Sequence, residues 1–244
     1  MLVRANNEVA VYAVHWQKIV DRKGLCIGYE ALARLSGVSG SGVEKAIGVM
    51  SLSELRSLTS EVISLVCAGC AARPNSFENG PLSVFVNVEK ESLTDRQLVG
   101  EVIACFEYLK ARNYHLVLEL TERPVSKKGL MRYIDALYRL KGAGVSLALD
   151  DYDINDPVHL ELGLGVCELV KLDISSLEGF SRRAQTMLDR EGERVNAKIN
   201  DFFQRYSVSL LAEKVEFDWQ ATKVLSMPFE FFQGYYFGRP GIFD

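Results

Sequence analysis

The sequence has only three histidines in 244 residues, His15, His115 and His159, too scattered to build a His-based triad or zinc site. Its five cysteines, Cys26, Cys67, Cys70, Cys105 and Cys167, are an odd number without a disulfide-framework spacing. Cys67 and Cys70 form a CxxC, but the surrounding SEVISLVCAGCAAR carries apolar residues at helical spacing and no second Cys or His pair. They read as buried helix cysteines. No run approaches the roughly 18 consecutive apolar residues of a membrane span. Arg4, Asn6, Asn7 and Glu8 interrupt the N-terminus and spoil a signal-peptide core, so the chain reads as cytoplasmic and without a membrane segment. Positive charge is not in excess either. With 28 Lys and Arg against 32 Asp and Glu, the formal net charge is −4, which argues against a DNA or RNA footprint. An anionic substrate then needs local positive charge or metal. A Rossmann fingerprint is also missing.

What is present is the composition of an ordinary globular chain, 48% hydrophobic and 25% charged, at a length that suits one large domain or two small ones. Strand-like runs recur at 25–32, 82–89, 115–122, 145–151, 167–174, 207–216 and 229–237. Between them lie helical patterns such as LTDRQLVGEVIACFEYLKARN and KKGLMRYIDALYRLKGAG. Strand alternating with helix implies a parallel sheet. Asn87 to Glu119 is 32 residues and Glu119 to Asp150 is 31, close to one βα unit each, a repeated spacing that favours a single domain over residues 1–244. Seven visible strands at this spacing favour an α/β fold of the (βα)8 barrel type over an open doubly wound sheet. SGVSGSG at 36–42 reads as a flexible loop, and the charged stretch 181–206 as a mostly solvated helical region.

Side chains alternate faces along a strand. Ser146, Ala148 and Asp150 share one face while Leu147 and Leu149 share the other; Asn87 goes with Ser83 and Phe85, Glu119 with His115 and Val117, Lys171 with Leu169 and Asp173, and Glu213 with Ser209 and Leu211. The opposite faces are nearly pure aliphatic, suited to lie under helices, and each polar residue falls near the C-terminal end of its strand, where barrel active sites form. Glu30, Asn87, Glu119, Asp150, Lys171 and Glu213 on one barrel mouth would repel strongly without cations. Carboxylate and amide oxygens without Cys or His suit Mg²⁺ or Mn²⁺ rather than zinc. Two such ions about 3.5–4 Å apart would serve an in-line attack on a phosphodiester. Asp151 can join Asp150 as a ligand only if the strand ends there. A barrel glycosidase using two carboxylates stays open from the residues alone, although it leaves Lys171 and Asn87 without a role.

Seven stretches occur in order along the chain: GYEALAR at 28–34, FVNV at 85–88, LELTE at 118–122, LDDYD at 149–153, VKLD at 170–173, AEKVE at 212–216 and QGYYFGRP at 233–240. Together they resemble the EAL domain family of cyclic-di-GMP phosphodiesterases. The resemblance implies a modified (βα)8 barrel with one antiparallel strand, which hydrolyses cyclic di-GMP to linear pGpG with two Mg²⁺ or Mn²⁺ ions. It implies Glu30, Asn87, Glu119 and Asp150 as metal ligands, with Asp151 serving the second ion. Lys171 would orient the attacking water and Glu213 act as ligand or general base. Arg34, Asp173 and Gln233 would contact substrate, and Glu122 would anchor the loop after the paired aspartates.

The departures are local. Where the family usually has Phe-Gly-Thr-Gly-Tyr-Ser-Ser, this sequence has Tyr152-Asp153-Ile154-Asn155-Asp156-Pro157-Val158, without either glycine, so positive φ becomes costly there. Lys18 stands for a proline, Leu35 for a tryptophan and Lys214 for a glycine. The remaining length leaves no room for a cyclase, receiver or sensor domain. Two readings follow: an active phosphodiesterase, or a catalytically weak EAL protein that acts as a cyclic-di-GMP receptor or binds a regulatory protein partner. A homodimer is compatible with either.

Overall fold

The computed structural model describes residues 11–35, 42–73, 80–155, 159–177, 180 and 190–242. Most of the Gly/Ser loop (36–41), the end of the substituted loop (156–158) and the start of the charged stretch (181–189) lie outside the described residues. The strands are β1 (Val11–Asp21), β2 (Cys26–Leu35), β3 (Leu82–Val88), β4 (Tyr114–Leu120), β5 (Ser146–Leu149), β6 (Leu169–Asp173), β7 (Ser209–Glu213) and β8 (Phe231–Gln233). The helices are α1 (Gly42–Gly48), α2 (Leu52–Ala71), α3 (Arg96–Lys110), α4 (Leu130–Ala143), α5 (Leu160–Gly163), α6 (Arg190–Arg205) and α7 (Asp218–Leu225). The strands follow one another in chain order as a closed barrel. β1 runs antiparallel to β8, pairing Ile19 with Gln233, whereas β3–β4, β5–β6, β6–β7 and β7–β8 are parallel. This is the modified (βα)8 barrel with one antiparallel strand that the sequence implied.

The sequence reading missed β1. Its alternation is blurred, because Trp16, Gln17, Ile19 and Val20 are all buried and so occupy both faces. The usable signal was the turn after it. Asp21 Oδ1 accepts from the backbone N–H of Lys23 (2.8 Å) and of Leu25 (2.9 Å), and Gly24 takes a φ of 76°, the Asx-turn and glycine chemistry of a hairpin.

The chain divides into two compact units, one of Met1–Trp16, Tyr29–Ser146 and Pro240–Asp244, the other of Gln17–Gly28 and Leu147–Arg239. In the first, α2 starts at a capping box in which Ser51 N–H donates to Glu54 (2.7 Å) and Glu54 N–H to Ser51 Oγ (3.4 Å). Its Leu55, Leu58, Val62 and Val66 are buried at helical spacing. Cys70 is buried on the same helix and Cys67 Sγ lies 3.3 Å from Cys105 Sγ of α3, so the CxxC is a helix segment with free thiols. Under these helices Leu116, Leu118 and Leu120 of β4 are fully buried, each stabilising the fold by roughly 1.5–3 kcal/mol. In the second unit Val170 and Leu172 of β6 and Leu210 and Ala212 of β7 are buried on the aliphatic parity. The charged stretch ends in α6, which packs Val195, Ile199 and Phe202 inward at i, i+4 and i+7. Among the described residues no helix is long and apolar enough to cross a membrane.

Candidate active site

In the first unit three oxygen-bearing side chains project from the strand parity opposite the aliphatic face. Glu30 comes from β2, Asn87 from β3 and Glu119 from β4, and Asn87 and Glu119 are direct register partners. Glu30 is 6% exposed and Glu119 is fully buried. Asn87 Nδ2 donates to Glu30 Oε1 at 2.7 Å, which leaves the Asn87 carbonyl oxygen as its ligand atom. Two buried carboxylates and an amide oxygen form a hard donor set that fits Mg²⁺ or Mn²⁺ and offers nothing to a thiophilic ion. Arg34, four residues after Glu30, is half-buried and donates through Nη1 to the Ala33 carbonyl at 3.1 Å. Burial, and then the Arg34 guanidinium, hold the His15 imidazole below its ordinary pKa. Glu122 is exposed just beyond β4.

In the second unit the carboxylates are met by lysines. Lys171, 1% exposed on β6, places Nζ 3.0 Å from Asp150 Oδ1 and 2.7 Å from Glu213 Oε1. A buried ammonium between two carboxylates is held in one orientation, because leaving either acid unpaired is costly. β5 stops at Leu149, and Asp151 turns to a φ of 45°. The backbone thus leaves the extended conformation at the point where the sequence required it to if both aspartates were to serve one site. Asp151 Oδ1 lies 3.3 Å from Lys214 Nζ, and Asp173 Oδ2 lies 2.7 Å from the same atom. Asp173 Oδ1 also accepts from Ser175 N–H at 2.7 Å. Burial opposes its ionisation, but the Lys214 and Ser175 hydrogen bonds outweigh burial and lower its pKa. Burial likewise opposes the charge of Lys214, and its hydrogen bond to Asp173, with the fields of Asp151, Asp173 and Glu213, overcomes this and raises its pKa. Gln233 is buried at the end of β8 and donates to Gln17 Oε1 at 3.3 Å. Among the described residues no three His, Cys, Asp or Glu side chains form a ready-made ligand group.

The family model of the EAL domain matches residues 5–240. The chain belongs to the EAL domain family. It is 26% identical over 249 residues to the "Probable cyclic di-GMP phosphodiesterase PdeG" of Escherichia coli (strain K12), covering 98% of this chain and 46% of that protein. The chain thus spans about half the length of that relative or less of others, 28% of an uncharacterized signaling protein of Caulobacter vibrioides. Among solved structures, the PaMucR phosphodiesterase in its c-di-GMP complex superposes with a TM-score of 0.71 at 20% identity, covering 94% of this chain and 96% of that one. The Bacillus subtilis YkuI protein, which has an EAL domain and is in complex with c-di-GMP and calcium, gives 0.70 at 19% identity, covering 98% of this chain and 56% of that one. At these identities the superpositions establish the fold.

Within this EAL chain the loop after the paired aspartates is pinned rather than loose over its described part. Tyr152 donates its backbone N–H to the Lys171 carbonyl at 3.0 Å and buries its ring 4.7 Å from His159 and 5.2 Å from Phe202, centroid to centroid. Asp153 Oδ1 accepts from Asn155 N–H at 2.8 Å, and Lys198 of α6 donates to Asn155 Oδ1 at 2.6 Å. Asp151 takes the positive φ, and none of residues 152–155 adopts one. Sequence reasoning noted Lys214 as a departure but missed its two ion pairs, which needed the β6–β7 register of Asp173 against Glu213. It also missed the aromatic anchorage of Tyr152, because Phe202 lies fifty residues away on a helix read as solvated.

Proposed function

We propose that this EAL domain is a cyclic-di-GMP phosphodiesterase that yields linear pGpG. The observation that carries the reading is Lys171, buried midway along β6 and fixed by Asp150 and Glu213, with every metal-ligand position of the family motifs occupied by its expected residue. Glu30, Asn87, Glu119 and Asp150 would hold Mg²⁺ or Mn²⁺, with Asp151 serving a second ion. The bound metal would supply Lewis acidity to water and to the phosphoryl oxygens.

The chain's own groups do the rest. Lys171 donates a hydrogen bond to the attacking water and orients its lone pair at phosphorus. Glu213, hydrogen-bonded to Lys171, accepts a proton as the new P–O bond forms. The bond between phosphorus and the ribose 3′ oxygen breaks, the 3′ oxygen takes up a proton, and the product keeps a 5′ phosphate. Arg34 pairs with a substrate phosphate, and Gln233 hydrogen-bonds the nucleotide. Purified protein given cyclic di-GMP with Mn²⁺ or Mg²⁺ should release pGpG, and Glu30→Ala should abolish it. Absence of product in both metals at high protein concentration rejects the reading.

A receptor reading is favoured by one feature, the engagement of Asp151 by Lys214. Calorimetry that finds nucleotide binding without product release supports it over turnover.

A further inference from the structure

Lys214 sits where the family usually has glycine, and the backbone there still behaves as if it were glycine, with a φ of 58°. A left-handed conformation disfavours a β-carbon, so the lysine is held against local backbone preference. Its ammonium is spent on Asp151 at 3.3 Å and Asp173 at 2.7 Å. In the same unit four carboxylates, Asp150, Asp151, Asp173 and Glu213, are paired with two ammonium groups, Lys171 and Lys214. The net charge of −2 on this group is what one divalent cation would neutralise. A second divalent ion on Asp151 would have to displace Lys214 or share its carboxylate with it. Displacement is feasible because the Lys214 side chain is 52% exposed and tethered at one end.

We infer that the Lys214 ammonium is a built-in monovalent cation that occupies the carboxylates of the second metal position and competes with the second divalent ion for them. The inference rests on the assignment of Asp151 to that ion. Competition of this kind leaves the first ion's affinity intact and weakens the second. It makes the fully loaded state a steep function of divalent-ion concentration. An exposed pair is worth up to about 1 kcal/mol, about fivefold in a dissociation constant, and sharing Lys214 between two carboxylates places the effect at about five- to tenfold.

The test is Mn²⁺ binding to the full chain without nucleotide, by isothermal titration calorimetry and by the electron paramagnetic resonance signal of free Mn²⁺. The wild type, Lys214→Gly and Lys214→Met are compared. Methionine removes the charge but keeps a β-carbon at positive φ; glycine removes both. The expected result is two classes of site, with the weaker tightened about five- to tenfold in both variants and the tighter unchanged. Equal affinities in all three proteins overturn the inference while leaving the metal-dependent reading intact. Tightening in glycine alone also overturns it, because backbone strain rather than charge would then be the cause. If none of the three takes up Mn²⁺, the inference and the metal-dependent reading fall together.

Discussion

Lys171 and Glu213 meet across adjacent strands two residues out of register. β6 pairs Lys171 with Leu211, yet its ammonium reaches Glu213 at 2.7 Å, the diagonal neighbour on the same face and within range of a long side chain. Lys171→Met should lower kcat for pGpG release by about 10²–10³-fold, as expected for a group acting in the transition state, while KM for cyclic di-GMP changes little. A raised KM with unchanged kcat would move Lys171 from the chemistry to substrate binding.

His15 reports on Arg34. Its imidazole is held below the ordinary value near 6.5 by burial first and the Arg34 charge second. The unfolded chain therefore takes up the proton at higher pH than the folded one, so His15 favours folding near neutrality and this contribution is lost as pH falls below about 6.5. Arg34→Met should raise the His15 pKa while leaving the part due to burial. Cyclic di-GMP should raise it as well, since a phosphate on Arg34 cancels the same charge. Proton NMR titration of the imidazole checks both; a pKa indifferent to nucleotide removes Arg34 from the phosphate contacts.

Gly234 follows Gln233 and holds the ends of β7 and β8 together. Its φ is 149°, and a β-carbon built there would lie 2.1 Å from the Val215 carbonyl oxygen. Val215 N–H bonds to the Gln233 carbonyl at 3.1 Å and Tyr236 N–H to the Val215 carbonyl at 3.0 Å, so neither backbone has room to retreat. Gly234→Ala should cost at least about 3 kcal/mol, a fall of roughly 6–12 °C in Tm for a chain of this size. A calorimetric Tm within 2 °C of wild type would show that the two backbones part easily.

β3 to β7 were legible because one face of each is nearly pure aliphatic, so Leu116, Leu118 and Leu120 mark β4, and Val170 and Leu172 mark β6, without help from the rest of the chain. β1 was illegible because both its faces are covered and Gln17 is among its buried residues. Asn87, Glu119, Asp150, Lys171 and Glu213 could be placed near strand ends by parity, but parity assigns a face and not a partner. That Lys171 takes Asp150 and Glu213, and Lys214 takes Asp151 and Asp173, depends on the stagger between strands and on two left-handed residues, Asp151 and Lys214. Tyr152 could be read as a substituted loop residue, but its burial against Phe202 depends on which face of α6 turns inward.

The first hairpin is fastened to the far end of the chain. Arg22 donates to the carbonyls of Leu225, Met227 and Phe229, the last 207 residues away, and β1 takes its antiparallel partner from β8. A ribosome adding about 5–20 residues per second therefore holds one edge of β1 without its partner for roughly 10–40 s. During that interval the edge is a template for pairing with a neighbouring chain. Slower elongation should lengthen this exposure and increase aggregation during synthesis.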